Sequence, residues 1–293
     1  MCKKIEIIKD DIYIDANFST DTIYVIIGEV RILQKVNLYI EKNTEIYLTN
    51  GSFINKIGMF VKTKLIFEPG SKLFGHSIFF KACDENYIPI FEANNGGVFF
   101  LGTSSKANKD FISSDFNTIE SSFNAEFISL SYLGGKDKLN TTTKDYLDDY
   151  DAISILGVGN NEWKINNIYS EYSGDDGFDV ENSSITLDNV VVINAYEDGI
   201  NITSSRVNII KSLIVDATIN DIFDRDIFDL ETDNGPSYIR LAHHCYVKIN
   251  GIFGDQLTLI SDDLPQPLLN KSYLYDNELL NGQTYIYSGN FNL

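Results

Sequence analysis

Two acidic segments lie 22 residues apart in this chain, Asp175-Asp176-Gly177-Phe178-Asp179 and, in matching phase, Glu197-Asp198-Gly199-Ile200-Asn201. Carboxylates repeated in this way allow two kinds of chemistry. Held a few ångströms apart, one raises the pKa of the other, and the pair can work as acid and base in glycoside cleavage. Asp176, Glu197 and Asp198 are the catalytic candidates on that reading. Alternatively, several hard oxygens gather a Ca²⁺ ion, with Asp151, Asp175, Asp176, Asp179 and Asp198 as candidate ligands. A third reading needs no ligand. Asp-Gly makes turns, and turn residues stack wherever a coiled chain turns at the same place in each coil.

The choice depends on the elements that position the acids, and those follow an internal repeat. With Asp176 as a phase mark, Asp198 follows after 22 residues and Asn220 after another 22. Trp163, Ile185 and Val207 form a second column, Ile165, Leu187 and Ile209 a third, and Ile168, Val190 and Ser212 a fourth. Asp151 belongs to the Asp column but lies 25 residues before Asp176, with the extra residues in the turn Leu156–Glu162. Each unit holds three short runs rich in β-branched residues, such as GFDV, SITL and NVVVI. These are too short for helices. The spacing predicts an all-β chain folded as a right-handed parallel β-helix, a single-stranded solenoid with three short strands per coil of about 22 residues. Adjacent coils then bring Asp176 and Asp198 to about 5 Å at the backbone. Each stacked pair of charges repels by roughly 1–3 kcal/mol, so a cation or shared protons should offset it.

One domain is expected over residues 1–293. The N-terminal cap and first coils occupy 1–60, and loop excursions fall at 134–150 and 261–282. A further break in rhythm falls at Asp84–Gly97. The formal net charge of −19 argues against nucleic acid or an anionic membrane as partner. No 18-residue apolar run predicts a membrane span. No apolar stretch follows the basic residues of MCKKIEIIKDD, so no signal peptide is recognisable. Cys2, Cys83 and Cys245 are too widely spaced for a disulfide framework or a zinc site, and His243-His244-Cys245 lies in a strand-like run that sends neighbours to opposite faces. Lys164, Arg206, Lys211 and Arg225 are the candidate bases for a lyase, and solvated charges by default.

The blocks KLIFEPGSKL (64–73), NGGVFFLGTSS (95–105), AEFISLSYLGG (125–135) and ISILGVGNNEWKINNIYSEYSGDDGFDV (153–180) occur in that order. The series resembles bacterial surface-associated, pectin-lyase-like β-helix repeat proteins of the WGG…LG and DDGF type, with Val98 where those carry Trp. The resemblance implies a cell-surface chain without established chemistry. The segment Asp176-Gly177-Phe178-Asp179, followed by Glu197-Asp198, is also similar to the acidic segments of polygalacturonases. The Gly-His-Gly block of that family has no counterpart here, and Arg240 lacks the lysine that should accompany it. The sequence therefore favours a non-enzymatic structural or binding protein of a cell surface or virion, taking glycan, other structural proteins or a cation such as Ca²⁺. The alternative is a glycan-active hydrolase or lyase using Asp176, Glu197 and Asp198, with Tyr169, Tyr172 and Tyr196 flanking an open groove.

Overall fold

The computed structural model describes residues 3–55, 58, 60–103, 119–135, 150–217, 226–231, 237–242, 245–251 and 291–292. Every regular element among them is a β-strand. The strands assemble into a 14-stranded sheet, a 7-stranded sheet and a small hairpin, Ser52–Ile54 with Phe60–Lys62. Within the two large sheets nearly all pairings are parallel, and each strand pairs with those of the coils before and after it. This is the arrangement of a β-helix or solenoid.

The 7-stranded sheet shows the coil count most simply. Its rungs are Glu29–Ile32, Lys64–Phe67, Val98–Leu101, Ile153–Leu156, Phe178–Glu181, Ile200–Thr203 and Phe228–Glu231. In the 14-stranded sheet, the runs SITL and NVVVI are not separate strands. They join into one bent strand, Ser184–Ile193. Earlier in the chain the two halves are separate: Lys72–Gly75 and Ser77–Cys83 both pair with the single strand Ser122–Ser131. The bend is lined by a polar ladder in which Asn189 Nδ2 donates to Asn167 Oδ1 at 2.6 Å and Ser212 Oγ donates to Asn189 Oδ1 at 2.7 Å.

The apolar columns form the core. Trp163, Ile185 and Val207 are buried, as are Ile165, Leu187 and Ile209. The fourth column needs a correction. Val190 pairs with Leu213, not Ser212, because the register shifts by one residue between Leu187 and Asn189. A one-residue bulge moves every later side chain to the other face, so Leu213 takes the core slot and Ser212 joins the polar ladder. Outward positions are not uniformly polar. Ile66, Phe99, Leu101 and Leu156 alternate with core residues along their strands and form a separate buried cluster. Strands covered on both faces read as continuous apolar runs, as VFFL does.

Of the loop excursions, 261–282 lies outside the described residues, as does 136–149 of the excursion at 134–150. Gly134, Gly135 and Tyr150 are described, and Gly135 N–H donates to Tyr150 O at 2.8 Å. Among the described residues no helix is long and apolar enough to cross a membrane.

Candidate functional site

The predicted acid column is a physical ladder. Asp176 N–H donates to Asp151 Oδ1 at 3.2 Å, and Asp198 N–H donates to Asp176 Oδ1 at 2.7 Å. The series continues with Asp226, whose N–H donates to Asp198 Oδ1 at 2.5 Å. Each side chain thus accepts the backbone N–H of the next coil, where the chain leaves the corner and enters the 7-stranded sheet. A buried N–H left without an acceptor there would be costly. The acids are 1–8% exposed.

The opposite end of the same strands has a neutral version of this device. Val158 N–H donates to Ser183 Oγ, and Ser183 N–H donates to Ser205 Oγ, both at 2.8 Å. Serine therefore does at one corner what aspartate does at the other, and neither job requires a ligand.

Asp226 went unpredicted. The sequence phase pointed to Asn220, which lies outside the described residues, whereas the register places Phe228 opposite Ile200, a step of 28 residues. The signal was present. Asp226-Ile227-Phe228-Asp229-Leu230-Glu231 matches Asp176-Gly177-Phe178-Asp179-Val180-Glu181 in type at every position but the second, where Ile227 replaces Gly177, but the six-residue insertion hid it from a fixed period.

The Asp-Gly steps are not left-handed turns. The left-handed residues lie elsewhere in the coil: Tyr132, Tyr172 and Asn194 in one column, and Gly157, Asn182 and Ser204 in another. Gly177 is glycine because of crowding. A Cβ there would lie 2.4 Å from Gly199 O and 2.4 Å from Val192 Cγ1. Gly177→Ala should therefore destabilise the fold by about 1–3 kcal/mol through overpacking, measured as a lower midpoint in urea. An unchanged midpoint would mean that the coils are not in this contact.

The electrostatics centre on Asp176. Burial first, and then the charges of Asp151, Asp198 and Asp175, hold its carboxyl well above the usual carboxylate range, while the N–H of Asp198 pulls the other way. Such a group carries a proton more readily than an ordinary carboxylate, which relieves repulsion along the stack.

The other candidates are spread around this ladder. Asp175 is buried, and its backbone carbonyl accepts the N–H groups of Tyr196 and Glu197. Asp179 stands in a different column, in register with Ser154 and Asn201. Glu197 is exposed. The five proposed calcium ligands therefore occupy two columns and a turn. Among the described residues no group of three or more His, Cys, Asp and Glu is arranged to hold a metal ion. Arg225, His243 and His244 lie outside the described residues. Lys211 pairs with Asp188 at 2.7 Å on the surface, and Arg206 packs over the Tyr238 ring, 5.1 Å from its centroid. Burial pushes the Cys83 thiol up to about 12, with the charge of Asp84 adding to the shift, which leaves little nucleophilic thiolate near neutrality.

Comparison with protein-family models, with curated proteins and with solved structures returns no match.

Two buried lysines were not foreseen. Lys62 and Lys64 are each 2% exposed, with their ammonium groups 4.6 and 5.4 Å from the Tyr150 ring centroid. Nothing in their sequence spacing marks them as buried. Their burial follows from glycines that let the stems pass, since a Cβ on Gly96 would lie 2.5 Å from Lys64 Cγ.

Of the tyrosines expected to flank the acids, Tyr172 lies in the turn leading into Asp175 and Asp176, and two further aromatic residues, Tyr132 and Phe91, join it there. Tyr132 and Tyr172 stack with centroids 4.8 Å apart and planes within 4°. Phe91 meets Tyr132 edge to face at 5.5 Å. Tyr132 and Tyr172 have φ of 58° and 52°, a left-handed conformation that costs a bulky residue roughly 1–2 kcal/mol. Tyr169 Oη and Ser131 Oγ both donate to the Glu171 carboxylate at 2.8 Å. Tyr196 is half-buried beside Asp175, at the start of the next acidic segment.

Proposed function

We propose that the protein is a right-handed parallel β-helix with a non-enzymatic structural or binding role on a cell surface or virion, with glycan as the ligand class. The reading rests on one observation: the carboxylates of Asp151, Asp176 and Asp198 each accept the backbone N–H of the following coil. Groups used in this way hold coils together, as the serine ladder does at the other corner. The net charge of −19 supports a partner that is not a polyanion.

A second reading has one observation in its favour. A carboxyl whose pKa is raised by burial and neighbouring carboxylates, as at Asp176, is what a general acid needs, and it suits a glycan-active hydrolase or lyase using Asp176, Glu197 and Asp198. The two readings separate in one experiment. The protein is incubated with neutral and acidic polysaccharides, and new reducing ends and unsaturated products are followed. The expected result is no product from any substrate. Product formed by the native chain and abolished in Asp198→Asn would replace the first reading with the second.

A further inference from the structure

The acid ladder accounts for the corner's charge, but not for the aromatic column beside it. In the third coil Asn194 makes the same left-handed turn, with φ 51°. Asparagine is well suited to that conformation and tyrosine is not. Tyr132 and Tyr172 therefore impose a conformational cost that the turn does not require. Strain of this kind concentrates where surfaces are used.

What the tyrosines supply is a parallel stacked pair of half-buried rings in one turn column of the solenoid. Phe91 extends it from the excursion that follows Cys83. Its ring is set at 75° to that of Tyr132 and remains 83% exposed. A phenylalanine that open contributes little to the core. Beside the stack, Glu171 is held in one orientation by Ser131 Oγ and Tyr169 Oη and forms a fixed acceptor.

We infer that Phe91, Tyr132 and Tyr172 form a stacking ledge for the pyranose rings of a neutral glycan. This rests on the binding reading above and names its site. A pyranose has an apolar C–H face that packs on an aromatic ring and a rim of hydroxyls that needs fixed partners. The exposed face of Phe91 takes the first, and Glu171 with the tyrosine hydroxyls takes the second. Charge selects among glycans. Glu171 ends the strand that leads into the turn carrying Asp175, Glu197 lies in the turn of the next coil, and the whole chain carries −19. Phosphate, sulfate and uronate chains are repelled, whereas an uncharged chain is not.

The test uses the full chain and calorimetric titration with hexasaccharides of glucose, mannose, galactose and N-acetylglucosamine, with hexagalacturonate as the acidic control. At least one neutral hexasaccharide should bind saturably. Phe91→Ala should weaken it tenfold or more without moving the melting temperature, because the side chain lies outside the core. Tyr172→Asn should weaken it as well while raising the melting temperature, because asparagine relieves the left-handed strain. The ledge is overturned if no neutral hexasaccharide binds, if Phe91→Ala binds as the native chain does, or if hexagalacturonate binds best. Reducing ends appearing in the same samples would overturn the non-enzymatic reading alone, since the effect of Phe91→Ala on affinity would still locate the ledge.

Discussion

Asp176→Asn is expected to be more stable than the native protein at neutral pH, and Asp176→Ala to be about 1–3 kcal/mol less stable than Asp176→Asn. Asparagine keeps an oxygen for the N–H of Asp198, now bonded at 2.7 Å, and removes a charge that burial and its neighbours disfavour. Alanine removes the charge too, but leaves that N–H without its acceptor, which accounts for the difference between the variants. In a chain of this size each kcal/mol corresponds to about 2–4 °C in melting temperature. The pH dependence has a definite sign. The carboxyl of Asp176 titrates higher in the folded state than in the unfolded state, so over the interval between the two the native form binds more protons and its stability falls as pH rises. Its contribution is fully present below the ordinary carboxylate range, near pH 4, and is lost as pH rises through the folded value. Asp176→Asn lacks this slope. The advantage of Asp176→Asn over the native chain should therefore be largest near pH 7–8 and fade toward pH 4. Differential scanning fluorimetry of both proteins across that range checks it. An advantage independent of pH would show that Asp176 is not the group bearing the stack's charge.

Phe100→Ala is expected to destabilise the protein by about 3–5 kcal/mol, the range for deleting a large buried aromatic side chain. Phe100 is fully buried and stacks on Phe67 at 4.8 Å with planes 3° apart. It also meets Phe123 at 5.0 Å and Trp163 at 5.5 Å, both edge to face. Removing it cuts one member from each of these contacts and opens a cavity between coils. Trp163 is the chain's single tryptophan and is 4% exposed, so its emission reports directly on the site. The expected signature is a red shift in the native state together with a lower urea midpoint. Phe100→Leu should recover much of the loss, since it fills most of the volume. A full effect in both variants would indicate that aromatic geometry matters more than filled space.

These two sites differ in how far the sequence revealed them. Stacking of Asp151, Asp176 and Asp198 was legible because β-coils of nearly constant length superpose equivalent residues. The 25-residue step to Asp151 was legible because the column of Trp163, Ile185 and Val207 kept its period of 22. Asp226 was missed because a fixed period cannot follow an insertion, although the pattern Asp-x-Phe-Asp recurs there. Leu213 was missed in favour of Ser212 because a one-residue bulge is invisible to periodicity and is decided by which residue the core accepts. The role of Gly177 was also misjudged. Asp-Gly is a turn signal in isolation, but here backbone crowding between coils requires the glycine.

The sequence by itself determined the all-β class, the stacking of coils and the phase at which acids recur, because those depend on local propensity and repeat length. Only the tertiary structure decided what the acids do. Whether a stacked carboxylate faces a ligand or accepts an N–H depends on where the next coil's backbone passes, and that is fixed by long-range register. The same holds for the aromatic corner. Phe91, Tyr132 and Tyr172 lie as much as 81 residues apart in the chain, and they meet because the excursion that carries Phe91 returns to the coil carrying Tyr132, whose neighbour in the stack carries Tyr172.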